Sequence, residues 1–475
     1  MGLLSNAKWN TCSQLVKIIV QIINIIYLTK IIPPKEYGIL AMAMVVFNFG
    51  ILLRDLGTSS AIIQSKSISS SLKNTVFWIN VILGGGLCAI TIFLSPTIAR
   101  LYKELELSPI LMILSLSFPL TSAAALHISL LERESQFKKI SLIEISAALI
   151  SIIIAISLAK FGFGVYSLAI SLISMNFVSL ILFWFVSKWR PSISSFINKE
   201  DVKIIFNFSA NLTLFNFINY FSRNADSFLI GKFMSASILG SYNLAYRIML
   251  FPIQSLSFIV TRSLFPILSR MQDDDDDIRN VYYDCVFFIL FLTMPMMIGL
   301  AILSDKFVSL VIGPQWFLSG DILHWLAPIA IIQAVLSTTG SVFMAKGRTD
   351  ILMRLGFFGA FIQCTAFIIG VNFSIIIFSK LYLLANILNF LPVMYFLLKL
   401  INGNAIKILK LIFPIVMSCC AMSVFIIFVM GLPYHYFVID SLIKLLLISL
   451  LGAFVYFLFI TMLSSKVRKM IKFLL

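Results

Sequence analysis

Residues 9–29 read WNTCSQLVKIIVQIINIIYLT, an apolar stretch crossed by a polar seam. Asn10, Gln14, Lys17, Gln21 and Asn24 recur at steps of four, three, four and three. Those steps put side chains on one face of a helix. The remaining residues, such as Ile18-Ile19-Val20 and Ile22-Ile23, suit hydrocarbon. A polar face on a membrane helix is costly unless it meets water or a partner, so it marks a functional pathway by default. A second apolar stretch carries Asn216, Asn219, Arg223 and Asp226 at steps of three, four and three. A shift of 202 positions places Gln14, Lys17, Gln21 and Asn24 on those four residues. Two matching seams point to a duplicated transporter.

Working outward, the composition agrees. Hydrophobic residues make up 60% of the 475, charged residues 12%, and the mean hydropathy is +1.02. Soluble domains hold about a quarter charged residues, so the chain reads as an all-α polytopic membrane protein. A membrane helix needs roughly 20 mostly apolar residues. That length predicts about 14 segments, at 9–29, 37–53, 75–95, 109–128, 140–159, 164–186, 205–230, 237–264, 285–303, 322–343, 351–370, 373–398, 411–431 and 440–463. The apolar runs lack the alternation of an outer-membrane barrel.

The net charge of +16 raises nucleic acid as a partner, and its distribution argues against it. With the N-terminus placed in the cytoplasm, the inside regions hold 23 of the 36 Lys and Arg residues, the outside regions 7, and 6 lie within segments. This bias follows the positive-inside rule and predicts both termini in the cytoplasm. The first segment is longer than a signal-peptide core, contains Lys17 and lacks a small-residue cleavage site, so it reads as a retained helix. The six cysteines fall in apolar segments without metal spacing, and His127, His324 and His435 stand apart, so no metal and no cofactor are expected.

The 202-residue offset also aligns Lys30 with Lys232, Gly38 with Gly240 and Ala43 with Ala245. Six segments separate the two starts, so the halves share orientation: a parallel repeat with a substrate path between them. The expected organisation is an N-lobe over 1–198, a C-lobe over 199–400, and a two-helix appendage with a basic cytoplasmic tail over 401–475.

Several motifs resemble a known family. Tyr37-Gly-Ile-Leu-Ala-Met-Ala, Arg54-Asp-Leu-Gly-Thr-Ser-Ser-Ala-Ile-Ile-Gln and Thr75-Val-Phe-Trp-Ile-Asn are similar to the polysaccharide-exporter branch of the multidrug/oligosaccharidyl-lipid/polysaccharide (MOP) superfamily. Within it they resemble the Wzx-type flippases of the WzxC kind. Asn224-Ala-Asp-Ser-Phe-Leu-Ile-Gly, Leu239-Gly-Ser-Tyr-Asn-Leu-Ala-Tyr, Leu264-Phe-Pro-Ile-Leu-Ser and Ile312-Gly-Pro-Gln-Trp extend the likeness over roughly residues 1–400. The resemblance implies a MATE-like fold of two six-helix lobes around a central cavity. It implies, as substrate, an undecaprenyl-diphosphate-linked oligosaccharide moved across the bacterial inner membrane for capsule, exopolysaccharide or O-antigen synthesis. Membrane lipid, a proton or sodium counter-ion and the polysaccharide polymerase machinery are the partners implied. A peptidoglycan-precursor flippase or a multidrug exporter of the same superfamily is the alternative.

The residues suit that substrate on chemical grounds. Asn and Gln offer donors and acceptors to sugar hydroxyls, and Lys and Arg make charge-assisted bonds to phosphate. The segments hold six cations against two acids, Glu144 and Asp226, an excess that favours an anionic headgroup. The expected cavity residues are Asn10, Gln14, Lys17, Gln21, Asn24, Asn216, Asn219, Arg223, Asn243, Arg247 and Lys380. Lys17 reads either as a diphosphate contact or as a structural bond to a neighbouring helix. Arg223 and Asp226 read equally as a mutual ion pair or as substrate and coupling groups. Arg54 and Asp55 close the second helix, as a helix-end bridge or a gate. Glu144, if buried, should bind a proton more readily and so serve coupling, or it is a hydrogen-bonded structural acid. The run Asp273 to Asp277 lacks the spaced, glycine-bearing loop of an EF-hand and reads as a solvated acidic loop. A membrane enzyme acting on the same lipid would need a large outside loop, whereas the longest outside connection runs only from Ser304 to Asp321. The chain therefore reads as a transporter rather than an enzyme.

Overall fold

The computed structural model describes residues 3–55, 62, 68–192, 197–198, 201–202, 220–221, 223–272, 274–431 and 442–474. Among the described residues there is no strand, and twelve helices are long and apolar enough to cross a membrane. They coincide with twelve of the fourteen expected segments. Most of the seventh, 205–230, lies outside the described residues. The eighth, 237–264, falls within the 35-residue helix Ala236–Arg270.

Two compact units divide the chain, Met1–Gly240 and Ser241–Leu475. The first contains α1 (Leu3–Ile31), α2 (Pro34–Asp55), α3 (Ser70–Tyr102), α4 (Leu107–Ser115), α5 (Ser117–Arg133), α6 (Phe137–Lys160) and α7 (Val165–Val186). Helix α8 (Ala236–Arg270) begins in the first unit and continues into the second. The second unit goes on with α9 (Asp275–Phe307), α10 (Phe317–Ala345), α11 (Thr349–Gly370), α12 (Ile375–Leu400), α13 (Ala405–Gly431), α14 (Leu442–Leu463) and α15 (Ser465–Leu474).

The helices overrun the apolar runs that predict them. A helix satisfies its own backbone, so it continues past the hydrocarbon until a capping residue ends it. For α3 that residue is Ser69, whose Oγ accepts the Leu72 N–H at 3.0 Å. For α9 it is Asp274, whose carboxylate accepts the N–H groups of Asp276 and Asp277. Asp274 to Asp277 are thus the cap and first turn of a helix, not the loop expected, while Asp273 lies outside the described residues. Asp275 pairs with Lys346 at 2.6 Å, and Asp276 with Arg279 at 2.7 Å. The motif Ile312-Gly-Pro-Gln-Trp turns between α9 and α10. Gly313 takes φ +139°, a region only glycine occupies readily, and Trp316 is fully buried behind it.

Within the first unit, α3 packs on α5, α5 on α7, α6 on α7, and α1 on α6. Small residues let α1 and α6 approach, with Leu28 and Ile32 set against Ala155 and Ala159. Within the second unit, α9 packs on α10, α10 on α12, and α11 on α12. The third, fourth, fifth and sixth helices of each half therefore pair in the same order. The last two spans pack on α9: Met422 and Ile426 of α13 and Ile448 and Tyr456 of α14 share one core with Tyr282, Val286 and Phe287. Tyr456 closes that contact with a hydrogen bond to the Phe291 carbonyl at 2.9 Å.

Where α2 and α8 begin, their backbones meet. A Cβ on Gly38 would sit 1.6 Å from the Ala236 carbonyl oxygen, and one on Gly240 would sit 2.0 Å from the Pro34 oxygen. Pro34 and Ala236, like Gly38 and Gly240, are 202 positions apart. Gly38 and Gly240 thus share one close approach of α2 and α8, with the Gly38 nitrogen 2.8 Å from where a Cβ on Gly240 would sit.

Candidate functional site

Helix α1 packs on α6, and of its polar seam Lys17 reaches that helix. Ser141 Oγ of α6 donates to the Trp9 carbonyl at 3.1 Å. One turn further on, Glu144 Oε2 accepts from Ser13 Oγ at 3.0 Å and from Lys17 Nζ at 2.6 Å. The Lys17 and Glu144 side chains remain 39% and 36% exposed, so the pair is open on one side.

That side is a cavity of about 420 Å³, walled by α1, α2, α5, α6 and α7. Lys17, Arg54, Glu132 and Glu144 bring charge to it, and Thr121, Ser129, Asn176 and Ser179 bring hydrogen-bonding groups. Ala124, Ala125, Ile128, Ala148, Met175 and Phe183 complete the wall. Such a lining combines cations for phosphate oxygens with amide and hydroxyl groups for sugars. Two cations face two carboxylates, so the charges balance. The surplus of positive charge expected from the segments is absent from this cavity, because of their six cations only Lys17 lines it, while Arg54 and Glu132 enter from helix ends as a further opposite pair. Helix α5 runs to Arg133, five residues past the apolar stretch ending at 128, and that extra turn carries Glu132 into the wall.

Of the residues the sequence singles out, the structure brings Lys17, Arg54 and Glu144 together in this cavity. Gln14 and Gln21 are exposed on α1, and Asn24 Oδ1 is buried with no hydrogen-bond partner. Asn216 and Asn219 lie outside the described residues, as do the side chains of Asn10 and Asp55. Arg223 and Asp226 share the helical stretch 223–233 but differ in setting: Arg223 is exposed, while Asp226 is 5% exposed with Oδ1 accepting the Ser227 N–H at 2.6 Å. In the second unit, Asn243 is half-buried and Arg247 exposed on α8, and the Lys380 ammonium stands 4.6 Å over the Trp325 ring. Near Lys380 in the chain, Asn386 is buried, donating to the Tyr382 carbonyl and accepting from Gln333 Nε2 at 3.5 Å.

Asn176, Ser179 and Thr121 escaped the sequence reading because their helices carry scattered serines and threonines, without a repeating seam of amide and charged side chains. Among the described residues no group of three or more His, Cys, Asp or Glu side chains is placed to hold a metal ion. His127 is fully buried in an aromatic nest of Phe77, Trp184 and Trp189.

Comparison with known proteins places this geometry. A family model described as polysaccharide biosynthesis protein matches residues 27–319. The chain is 29% identical over 420 residues to the lipopolysaccharide biosynthesis protein WzxC of Escherichia coli (strain K12), covering 87% of this chain and 85% of that protein. Among solved structures it is similar to the lipid II flippase MurJ in an inward closed conformation, with TM-score 0.73, 18% identity and coverage of 97% of this chain and 98% of that one. It is also similar to an inward-facing multidrug resistance MATE family transporter of the MOP superfamily, with TM-score 0.62, 15% identity and coverage of 82% and 96%. At these identities the two structures speak for the fold alone.

Proposed function

The chain belongs to the polysaccharide biosynthesis protein family, and from that premise we propose that it is a flippase for a polyprenyl-diphosphate-linked oligosaccharide. The observation that carries the reading is the cavity itself. Membrane-length helices enclose a pocket holding Lys17 and Arg54 beside Asn176, Ser179 and Thr121. Charged and hydroxyl-binding groups at that depth are costly unless they serve a polar cargo. A diphosphate needs the cations, a glycan needs the amides and hydroxyls, and the polyprenyl tail needs the apolar outer faces of the same helices.

In this reading the protein sits in the bacterial inner membrane with both termini in the cytoplasm. The lobes over 1–198 and 199–400 open alternately to each side, and 401–475 supports the second. Lys17 and Arg54 hold the diphosphate. The remaining seam residues, Gln14, Gln21 and Asn24, with Asn216, Asn219 and Arg223 of the matching seam, extend the polar route. Asn243, Arg247 and Lys380 add to it from the second half. Glu144 and Asp226 are the acids available for coupling to a proton or sodium ion, and delivery to the polymerase machinery completes the role.

Reconstitution tests it. Proteoliposomes carrying an undecaprenyl-diphosphate-linked oligosaccharide should show protein-dependent movement of the lipid between leaflets. Removing one charge-assisted contact costs about 1.5–3 kcal/mol, so Lys17→Ala should lower the rate on the order of tenfold or more. Absence of movement by the wild type under a proton or a sodium gradient would move the assignment to a different cargo. Movement retained by Lys17→Ala would make Lys17 a structural residue.

A further inference from the structure

A cavity whose charges already balance poses a question for an anionic cargo. Lys17 and Arg54 face Glu132 and Glu144 across it, and Lys17 is bonded to Glu144 at 2.6 Å. Each charge of an entering diphosphate adds repulsion unless it takes the place of a carboxylate. The Lys17–Glu144 bond suits such a replacement. Both partners are more than one third exposed to the cavity, so the pair is weakly held compared with a buried one. Ser13 Oγ, at 3.0 Å from the same Oε2, holds Glu144 in reach of Lys17 and gives the carboxylate a bond it keeps if the ammonium turns away.

We infer that Glu144 is a stand-in for the substrate phosphate: it neutralises Lys17 while the transporter is empty and gives way to the diphosphate when the cargo enters. The inference rests on the flippase reading above and deepens it at the same cavity. Lysine is a point charge on a flexible stem with three donors, able to leave a carboxylate for a phosphate without rebuilding the site. No covalent step is involved; one charge-assisted bond opens and another forms. On release, the carboxylate again takes the ammonium. The empty protein then changes conformation without an unpaired cation among its membrane helices. Glu144 is a positioning residue here, acting through Lys17.

A stand-in competes with what it imitates, and that gives a signature a purely structural pair lacks. Titration of detergent-solubilised full-length protein with farnesyl diphosphate reads the headgroup site alone. The proteoliposome assay reads the whole cycle. In Glu144→Gln the competitor is gone, and farnesyl diphosphate should bind about threefold tighter, the scale of a partly exposed ion pair. Turnover should fall by a comparable factor, since tighter binding at an unchanged association rate means slower release. Ser13→Ala, which keeps both charges but loosens Glu144, should move both quantities the same way by less, and it answers for the case in which Glu144→Gln does not fold. In a Lys17→Gln background, Glu144→Gln should leave binding unchanged, because the two residues act as one unit. Binding that is unchanged or weaker in Glu144→Gln, while the wild type binds and flips its lipid, overturns the exchange and leaves the flippase reading intact. A wild type that neither binds farnesyl diphosphate nor moves the lipid overturns both.

Discussion

Asp274 and Glu132 show what a single residue can hide from a reading by hydropathy. The acidic run at 273–277 has the composition of a loop, yet Asp274 caps α9 through the N–H groups of Asp276 and Asp277, at 2.9 and 3.0 Å. Negative charge in a first helical turn also meets the positive end of the helix dipole. Replacing an Asp N-cap by Ala costs about 1 kcal/mol. Asp274→Ala should therefore lower the melting temperature in detergent, while the same change in a solvated loop would leave it where it was. An unaltered melting curve would remove the cap from this account. Glu132 was invisible for a related reason. Apolar runs locate the hydrocarbon-spanning part of a helix but not its last turns, and the cavity lies partly at the level of those turns. The seam on α1 was legible because five polar residues repeat at helical spacing. Its partner Glu144 was visible only as an isolated acid, since no sequence pattern ties position 17 to position 144.

At the scale of elements, twelve of the fourteen expected segments are membrane-length helices. The likeness of the halves at a 202-residue shift acquires a contact of its own. Gly38 and Gly240 lie where a side chain would enter the opposing backbone, so both positions exclude even a methyl group. Forcing one in costs about 1–3 kcal/mol where neighbours can yield, and here the neighbours are main-chain atoms. Gly38→Ala and Gly240→Ala should each destabilise the folded protein by at least that amount. Gly85→Ala, with nothing within 4 Å of its added carbon, should not, and should gain up to about 1 kcal/mol from helix propensity. Thermal melting of the three purified variants separates the outcomes; equal melting at all three positions would mean that α2 and α8 do not meet as described. Sequence alignment of the halves pointed to these glycines. That Gly38 meets Ala236 and Gly240 meets Pro34 is a fact of packing that no periodicity expresses.

For the whole molecule, the decisive quantity is the number of crossings between the two seams, because it sets whether the halves are parallel or inverted. The cavity around Lys17 is built by the first unit, and a duplication gives the second seam the same sense across the membrane only if that number is even. The positive-inside count predicts the turn after α5 in the cytoplasm and the turn after α6 outside. The same count predicts the inside after α7 and, with one crossing assigned to the expected segment 205–230, the outside at the start of α8. Cysteine accessibility measures this directly. In a background with the six native cysteines replaced, Phe161→Cys and Ser237→Cys stand at exposed positions after α6 and at the start of α8. Both should react with a membrane-impermeant maleimide in intact cells. Glu134→Cys and Thr349→Cys, exposed after α5 and at the start of α11, should react only once the membrane is opened. Labelling of Ser237→Cys from the inside alone would make the crossings between the seams odd and the repeat inverted. The matches at a 202-residue shift, Lys17 with Asn219 and Gly38 with Gly240 among them, would then need an origin other than a parallel duplication.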